Sequence, residues 1–204
     1  MADTLLQACI INCTLKASPT PSSTDKLAAE LGSALAAHQV NSRQLRVADY
    51  QVAAGVETNM GTGDDWPTFR QAIYAADIVI LATPIWMGHP SSFAQRVLER
   101  LDAELSERDD KGRLRTYGKV AGVIVVGNED GAHHVSAELY QGLNDVGFSL
   151  PANAVTYWNG EAMQTTDYRD LPKTPAAVAR TTKTMAANLA HLGRLLRATA
   201  YPPA

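Results

Sequence analysis

The sequence predicts an α/β domain built on a mostly parallel sheet that carries helices on both of its faces. Short apolar runs of strand length alternate five times with runs in which apolar residues recur at helical spacing. This alternation favours a single doubly wound sheet, because parallel strands need long crossover connections. The chain has 204 residues, the size of one ordinary domain, and contains no internal repeat or linker-like stretch. We therefore expect a single domain over residues 1–204.

The first half of the chain supplies two strands and two helices. The first predicted strand, Leu5–Cys13, is apolar on both faces like a central parallel strand. The helix after it is indicated by leucines at four-residue spacing, namely Leu27, Leu31 and Leu35. The second strand, Gln44–Val47, is weakly patterned and suits a sheet edge. Pro67 is typical of the first turn of a second helix, and we interpret Asp64 and Asp65 as an acidic pair at its N-terminus.

The third strand begins with the β-branched run Ile78–Leu81 and leads into the stretch Thr83–Pro90. The two prolines in this stretch lack an amide hydrogen, so we predict a loop here and not the continuation of a central strand. Ser91 or Ser92 is then the predicted N-cap of a helix. Ligands of open α/β sheets bind beside the loops at the carboxyl ends of strands, so this loop is a candidate binding surface.

The second half of the chain supplies the last two strands and two helices. The fourth predicted strand, Lys119–Gly127, is a continuous apolar run, and the fifth, Ala154–Trp158, is shorter. A long polar loop, Asn159–Lys173, separates the last strand from the closing helix. Trp158 and the loop after it, which contains Gly160, Met163 and Tyr168, suit a lid over a site, a contact with another subunit, or a loop that is simply mobile.

Composition narrows the class of protein and of partner. A net charge of −3 offers no basic face to nucleic acid or to an anionic membrane, and the apolar runs are too short to span one. The N-terminal residues lack the basic start and cleavage site of a signal peptide, so we expect a cytoplasmic protein. Cys9 and Cys13 form no metal-binding or redox motif and are interpreted as buried free thiols.

The loop after the first strand is dense in hydroxyl groups. Residues 1–29 contain no glycine, which excludes the dinucleotide-binding and P-loop motifs that would occupy this position. The loop carries instead Ser18, Thr20, Ser22, Ser23 and Thr24, with Lys16 as a single cation. Hydroxyl donors and free amides at a helix N-terminus make a cradle for phosphate. The alternative interpretation is a serine- and proline-rich loop in front of an ordinary capped helix.

Three stretches at the ends of the first, third and fourth strands belong together. They are Ser18-Pro19 with Ser22–Thr24, Thr83–Gly88 with Pro90–Ser92, and Gly127–His134. In this order they resemble the phosphate loop and the second and third flavin loops of the flavodoxin-like NADPH-dependent FMN reductase family. The resemblance implies a flavodoxin-like five-stranded parallel sheet of order 2-1-3-4-5, bound FMN, and NADPH or NADH as reductant.

The resemblance also implies which residues hold the cofactor. The FMN phosphate would be held by Lys16, Ser18, Ser22, Ser23 and Thr24. The isoalloxazine would lie along Pro84, Ile85, Trp86, Met87 and Gly88. Its other edge would meet Gly127, Asn128, Glu129, Asp130, Gly131 and His133. No catalytic side chain is expected, because FMN itself carries the hydride chemistry.

Individual roles stay open at several of these positions. Trp86 suits a flavin stack, a nicotinamide wall, a subunit contact or an ordinary core position. Carboxylates facing reduced flavin would oppose its negative charge, so at Glu129–Asp130 the backbone is expected to face the ring while the acids meet solvent or cap a helix. His89 suits a nicotinamide or substrate contact, or a solvated position. His133 and His134 are adjacent and face different directions on a helix, so no metal site is predicted.

The expected function is that of an FMN-dependent oxidoreductase, which takes hydride from NADPH or NADH and passes electrons to a flavin, a quinone or a similar small acceptor. The main alternative is a flavodoxin-type electron carrier without nicotinamide turnover, although a net charge of −3 does not suggest its acidic docking face. A redox sensor or scaffold on the same fold is a third possibility. The resemblance implies a homodimer or homotetramer, and no nucleic-acid or membrane partner is expected.

Overall fold

The computed structural model describes residues 5–161 and 164–203, so that Met163, one of the residues considered for a lid, lies outside the described residues. Its strands are β1 (Leu6–Asn12), β2 (Val40–Arg46), β3 (Ile78–Trp86), β4 (His89–Pro90), β5 (Val120–Gly127) and β6 (Val155–Asn159). Its α-helices are α1 (Ser23–Ala36), α2 (Trp66–Ala75), α3 (Ser92–Leu101), α4 (Ala132–Asp145) and α5 (Ala176–Ala198).

The five long strands form one parallel sheet in the order β2-β1-β3-β5-β6. The two-residue strand β4 stands off this path and pairs with the end of β3 in antiparallel fashion. The predicted flavodoxin-like order is therefore confirmed, with β4 as an addition that the sequence did not suggest. The strand order reverses between β1 and β3, and loops that leave neighbouring strands in opposite directions at such a point open a cleft between them.

The third strand is longer than predicted, because it runs through Pro84 as far as Trp86. The pairing of β3 with β1 ends at Ala82, whereas its pairing with β5 continues to Pro84 and Val126. Beyond Ala82 the strand therefore has a parallel neighbour on one side only. A residue without an amide hydrogen is tolerated in such an edge-like position, so the prediction that proline ends the strand here was wrong.

Helices cover both faces of the sheet, as predicted. Helices α2, α3 and α4 pack on one face around a core that includes Phe69, Val97 and Leu139, while α1 and α5 pack on the other around Leu31 and Leu189. Within the described ranges, no helix combines the length and the apolar character that crossing a membrane requires.

The two cysteines are buried free thiols, as predicted. Burial raises the pKa of Cys9 to about 11, although nearby Arg43 acts in the opposite direction. Burial also raises the pKa of Cys13 far above its usual range. Both thiols therefore stay protonated at neutral pH and have little nucleophilic character.

Asp64 lies at the N-terminus of α2, as predicted, and accepts a hydrogen bond from the Trp66 amide at 3.2 Å, but it also pairs with a buried arginine that the sequence did not indicate. Its carboxylate is 1% exposed and forms two hydrogen bonds with the fully buried guanidinium of Arg100, at 2.7 and 3.0 Å. Burial alone would raise the pKa of the Asp64 carboxyl, but the hydrogen bonds from Arg100 and from three backbone amides hold it well below its usual range. Arg100 also donates to the carbonyls of Ala53 and Glu57, so this pair anchors the loop between β2 and α2.

Candidate functional site

A cleft of about 190 Å³ lies at the carboxyl edge of the sheet. It is bordered by the segments that follow β1 and by the ends of β3, β5 and β6. Its lining is formed by Thr14, Leu15, Lys16, Ser22, Ser23, Thr24, Pro84, Ile85, Trp86, Val126, Gly127, Asn128, Trp158 and Asp167. The three loops that the sequence singled out therefore meet at one place.

The N-terminus of α1 forms one end of this cleft. Ser22 is the N-cap, and its hydroxyl oxygen accepts a hydrogen bond from the Asp25 amide, which leaves its own hydrogen available to a ligand. Ser23 and Thr24 are the first two helical residues, and their amides have no carbonyl partner within the helix. Hydroxyls, free amides and the positive end of the helix dipole thus converge where Lys16 also lines the cleft.

Two arginines brace this loop from behind, and the sequence did not reveal either of them. Arg46, at the end of β2, is 8% exposed; it donates to the carbonyls of Thr20 at 2.9 Å and Lys16 at 3.3 Å, and pairs with Asp25 at 2.8 Å. Arg169 donates through its side chain to the Pro21 carbonyl at 2.9 Å. The side chains of two arginines from distant parts of the chain therefore fix the conformation of this loop. Lys16 is thus not the only cation near it.

Ser18, which the resemblance places at the phosphate, does not line the cleft. Its amide and hydroxyl both donate to the carboxylate of Asp49, each at 2.7 Å. The hydrogen bond from the Ser18 amide holds the pKa of the Asp49 carboxyl below its usual range. In this structure Ser18 therefore shapes the loop and does not present its hydroxyl to the cleft.

The end of β3 forms an apolar wall. Ile85 is buried, whereas Trp86 is 55% exposed, so the core position considered for this tryptophan is excluded. Gly127 at the end of β5 lies against Ile85, since a Cβ on this glycine would come within 2.8 Å of the Ile85 Cβ. The ends of β3 and β5 can approach each other this closely only because the residue at 127 has no side chain.

The opposite wall combines Asn128, which the resemblance assigned to the site, with Trp158 and Asp167, which it did not. Trp158 lines the cleft from the end of β6, and its ring lies 5.4 Å from that of the buried Tyr168. Asn128 donates to Asp167 at 3.5 Å, which joins the end of β5 to the loop before α5. Lys26 binds three carbonyls of that loop, so its described part is docked on α1. The sequence pointed to this wall through Asn128 and through the aromatic residues Trp158 and Tyr168, whereas it did not indicate Asp167.

The remaining predicted residues lie outside the lining of the cleft, namely Met87, Gly88, Glu129, Asp130, Gly131 and His133. Met87 and Gly88 form the turn between β3 and β4, and Met87 is 87% exposed. Gly131 is the N-cap of α4, so neither neighbouring acid occupies that capping position. His133 lies 3.1 Å from the hydroxyl of Tyr157, at the surface.

The cleft suits a flat ring that carries a phosphate. The hydroxyls and amides at the start of α1 are donors for an anion, and the apolar area of Ile85 and Trp86 lies at the other side of the same cleft. With such a ligand bound, the hydroxyls and amides would hold the phosphate, and Ile85 and Trp86 would cover the ring. A flavin phosphate has both parts.

Comparison with known proteins bears directly on this ligand. Residues 10–162 match the model of the NADPH-dependent FMN reductase family. The chain belongs to this family. Its cofactors are accordingly FMN, as the sequence predicted, and NADPH, where the sequence left NADPH and NADH as alternatives; it is a flavin-binding oxidoreductase.

Two curated relatives match nearly the whole chain. The chain is 36% identical over 203 residues to the divalent metal cation transporter MntH of Mycobacterium bovis; the match covers 96% of the chain but 30% of that relative, so the chain spans less than a third of its length. It is 32% identical over 206 residues to 8-demethyl-8-aminoriboflavin-5'-phosphate synthase of Streptomyces davaonensis, with 96% of the chain and 80% of that relative covered.

Solved structures show the same fold. The structure of RosB with the bound intermediate 8-demethyl-8-formylriboflavin-5'-phosphate has a TM-score of 0.85 at 32% identity and covers 96% of this chain and 82% of RosB. A flavone reductase has a TM-score of 0.67 at 11% identity and covers 97% of this chain and 66% of that one. An archaeal flavodoxin, at 7% identity and a TM-score of 0.60, covers 93% and 99%. The last two likenesses concern the fold alone.

Proposed function

We propose that this protein is an FMN-dependent oxidoreductase that takes hydride from NADPH or NADH and delivers electrons to a flavin, a quinone or a similar small acceptor. One observation carries the proposal: a single cleft combines the donor-rich start of α1 with the half-exposed Trp86 at the end of β3. When bound, FMN supplies the hydride chemistry, while the protein binds and orients the reactants.

The residues at the start of α1 hold the phosphate in this proposal. Ser22, Ser23 and Thr24 donate hydrogen bonds from hydroxyls and amides, and Lys16 supplies a charge beside them. Ser18 contributes by shaping the loop through Asp49. Hydrogen bonds to a charged group contribute about 1.5–3 kcal/mol each, so the loss of one hydroxyl should weaken FMN binding about 10- to 100-fold.

The ends of β3 and β5 hold the ring. Pro84, Ile85 and Trp86 offer apolar area on one side, and Gly127 and Asn128 offer backbone groups on the other. The two turns beyond them, with Met87, Gly88, Glu129, Asp130, Gly131 and His133, form the outer rim on which a nicotinamide or an acceptor would approach.

An anaerobic titration of the FMN-loaded protein with NADPH and, separately, with NADH tests the proposed function. Stopped-flow mixing should bleach the flavin absorbance within the time of a catalytic turnover, and adding a flavin or a quinone should then restore it. A protein that binds FMN but is not bleached by either nicotinamide would be a flavodoxin-type carrier. Purified protein that binds no FMN would contradict both functions.

A second candidate function rests on the high similarity to the synthase and to RosB, whose bound molecule is itself a flavin phosphate. Here the flavin phosphate would be the substrate, changed at its 8-position, and not a resident cofactor. Incubation with FMN, air and a mixture of amino acids as nitrogen donors, followed by mass spectrometry of the recovered flavin, tests this candidate. A flavin of unchanged mass, as in a heat-denatured control, would exclude it.

Assembly and location belong to the same proposal. We infer that the protein forms a homodimer or homotetramer, because the exposed Trp86 and Met87 offer apolar area at the mouth of the cleft. Residence in the cytoplasm stays a prediction. Light scattering of the FMN-loaded protein measures the assembly, and a single monomeric mass would contradict the inference.

A further inference from the structure

Three side chains with metal-binding atoms meet beside the cleft that Trp86 lines, called the flavin cleft from here on. His89 comes from β4, and His134 and Glu138 come from successive turns of α4. The His134 Nε2 lies 2.7 Å from the Glu138 Oε1, and the His89 Nδ1 lies 3.3 Å from the same oxygen. The two imidazole centroids are 5.0 Å apart. The sequence did not indicate this cluster, because His89 lies far from the other two residues along the chain.

The distances are close to those of a coordinated ion. Zn²⁺ binds imidazole nitrogen and carboxylate oxygen at about 2.0–2.2 Å, so neighbouring ligand atoms are separated by about 3.0 Å in octahedral and 3.4 Å in tetrahedral geometry. In this structure the three ligand atoms lie within 4.8 Å of one another. The side chains of His89 and His134 are 63% and 55% exposed, so both rings have room to turn towards a common ion.

The backbone around the cluster is held in place before any ion binds. Gly88, in the turn between β3 and β4, lies directly against Gly131 at the start of α4, where a Cβ would come within 3.0 Å of the Gly88 backbone. His134 and Glu138 share one face of α4 at a separation of four residues. His89, in the hairpin that β3 and β4 form, is therefore kept at a fixed separation from His134 and Glu138 in α4.

We propose that His89, His134 and Glu138 form a binding site for one divalent transition-metal ion of the Zn²⁺ type, with water in the remaining coordination positions. Two imidazoles and one carboxylate are a ligand set that suits such ions. The ion would tie the β3–β4 hairpin to α4. His89 is the direct pairing partner of Trp86, so the ion would also fix the wall of the flavin cleft.

Isothermal titration of the EDTA-treated, FMN-loaded protein with Zn²⁺ tests the site. We expect one ion per chain in the wild type. Loss of residues that merely orient a ligand weakens metal binding about 10- to 100-fold, so removing a ligand in His134→Gln or Glu138→Gln should weaken it more than about 100-fold. The control is His191→Gln, which removes an exposed histidine from α5 on the other face of the sheet and should leave the affinity unchanged.

A thermal melt recorded with and without Zn²⁺ completes the experiment. Zn²⁺ should raise the melting temperature of the wild type and of His191→Gln but not of Glu138→Gln. In EDTA, His191→Gln should melt like the wild type because His191 is exposed, whereas Glu138→Gln should melt only slightly lower, because the contacts of Glu138 with His89 and His134 are partly exposed and contribute little. Three results would each overturn the proposal: absence of Zn²⁺ binding to the wild type, undiminished binding to His134→Gln and Glu138→Gln, or equal loss of binding in His191→Gln. The titration needs no nicotinamide turnover, so its outcome is independent of the proposed oxidoreductase function.

Discussion

Replacing Arg46 by methionine should separate binding of the FMN phosphate from binding of the flavin ring. Arg46→Met keeps the apolar stem of a nearly buried side chain but removes its bonds to the Lys16 and Thr20 carbonyls and to Asp25. Lys16 and Thr20 are exposed, so water can replace the lost hydrogen bonds in part, and we assign about 1 kcal/mol to each. Asp25 is more than a third exposed, which limits the ion pair to about 1 kcal/mol. The free energy of unfolding should fall by about 3 kcal/mol.

The effect on ligand binding follows from the order that Arg46 imposes on the loop. Fixing the backbone of one residue costs about 1–2 kcal/mol, so a loop in which one or two residues become free must recover about 2 kcal/mol when the phosphate binds. FMN affinity should therefore fall roughly 30-fold. Riboflavin has the same ring without the phosphate, and its affinity should hardly change. Flavin fluorescence titrations of the flavin-free protein measure both constants.

The control for this experiment is Arg43→Met. Arg43 is an exposed residue of the same strand, three positions before Arg46, so the substitution removes the same charge without touching the loop. Equal losses of FMN and riboflavin affinity in Arg46→Met would refute the reasoning, because the bracing would then act on the whole site. Unchanged FMN affinity in Arg46→Met, or a loss of the same size in Arg43→Met, would refute it as well.

Three further predictions concern the walls and supports of the site. Trp86→Ala should weaken FMN binding about 2- to 12-fold while leaving the protein folded. Trp66→Ala, at a fully buried position, should instead lower the free energy of unfolding by about 3–5 kcal/mol. If Trp86→Ala unfolded the protein and left FMN affinity unchanged, the placement of Trp86 at the cleft would be wrong. Asp64→Asn should lower the free energy of unfolding by about 3–5 kcal/mol at pH 7, because it leaves the buried Arg100 guanidinium without its counterion. The folded-state pKa of the Asp64 carboxyl is depressed, so the difference in unfolding free energy between Asp64→Asn and the wild type is fully present above about pH 4 and should narrow as the pH falls further. Urea unfolding at several pH values measures this difference. A difference that grows in acid would contradict the pairing of Asp64 with Arg100. Ser91→Ala should cost about 1–2 kcal/mol in urea unfolding, because the Ser91 hydroxyl caps α3 and donates to a carbonyl of the segment after β1; a Ser91→Ala protein as stable as the wild type would contradict this role.

Much of the fold was predictable because it depends on local patterns. The apolar runs that became β1, β3 and β5 are long enough to be recognised without knowledge of their neighbours. The edge strand β2 was harder, since only one of its sides pairs with the sheet; the prediction began at Gln44, four residues after the observed start at Val40. The extension of β3 through Pro84 was missed for a similar reason, because it depends on where the neighbouring strand β1 ends.

By itself, the sequence determined the order of strands and helices and the three loops that meet at the cleft. Hydroxyls before a helix, a proline-flanked tryptophan and a glycine at a strand end are local features, and topology brings the ends of parallel strands to one edge of the sheet. Only the tertiary structure showed which side chains hold that site in place. The bracing by Arg46, the burial of the Asp64 pair with Arg100, and the meeting of His89 with α4 each join residues that lie more than 20 positions apart. Contacts of this kind depend on the packing of the whole domain, which no local pattern in the sequence encodes.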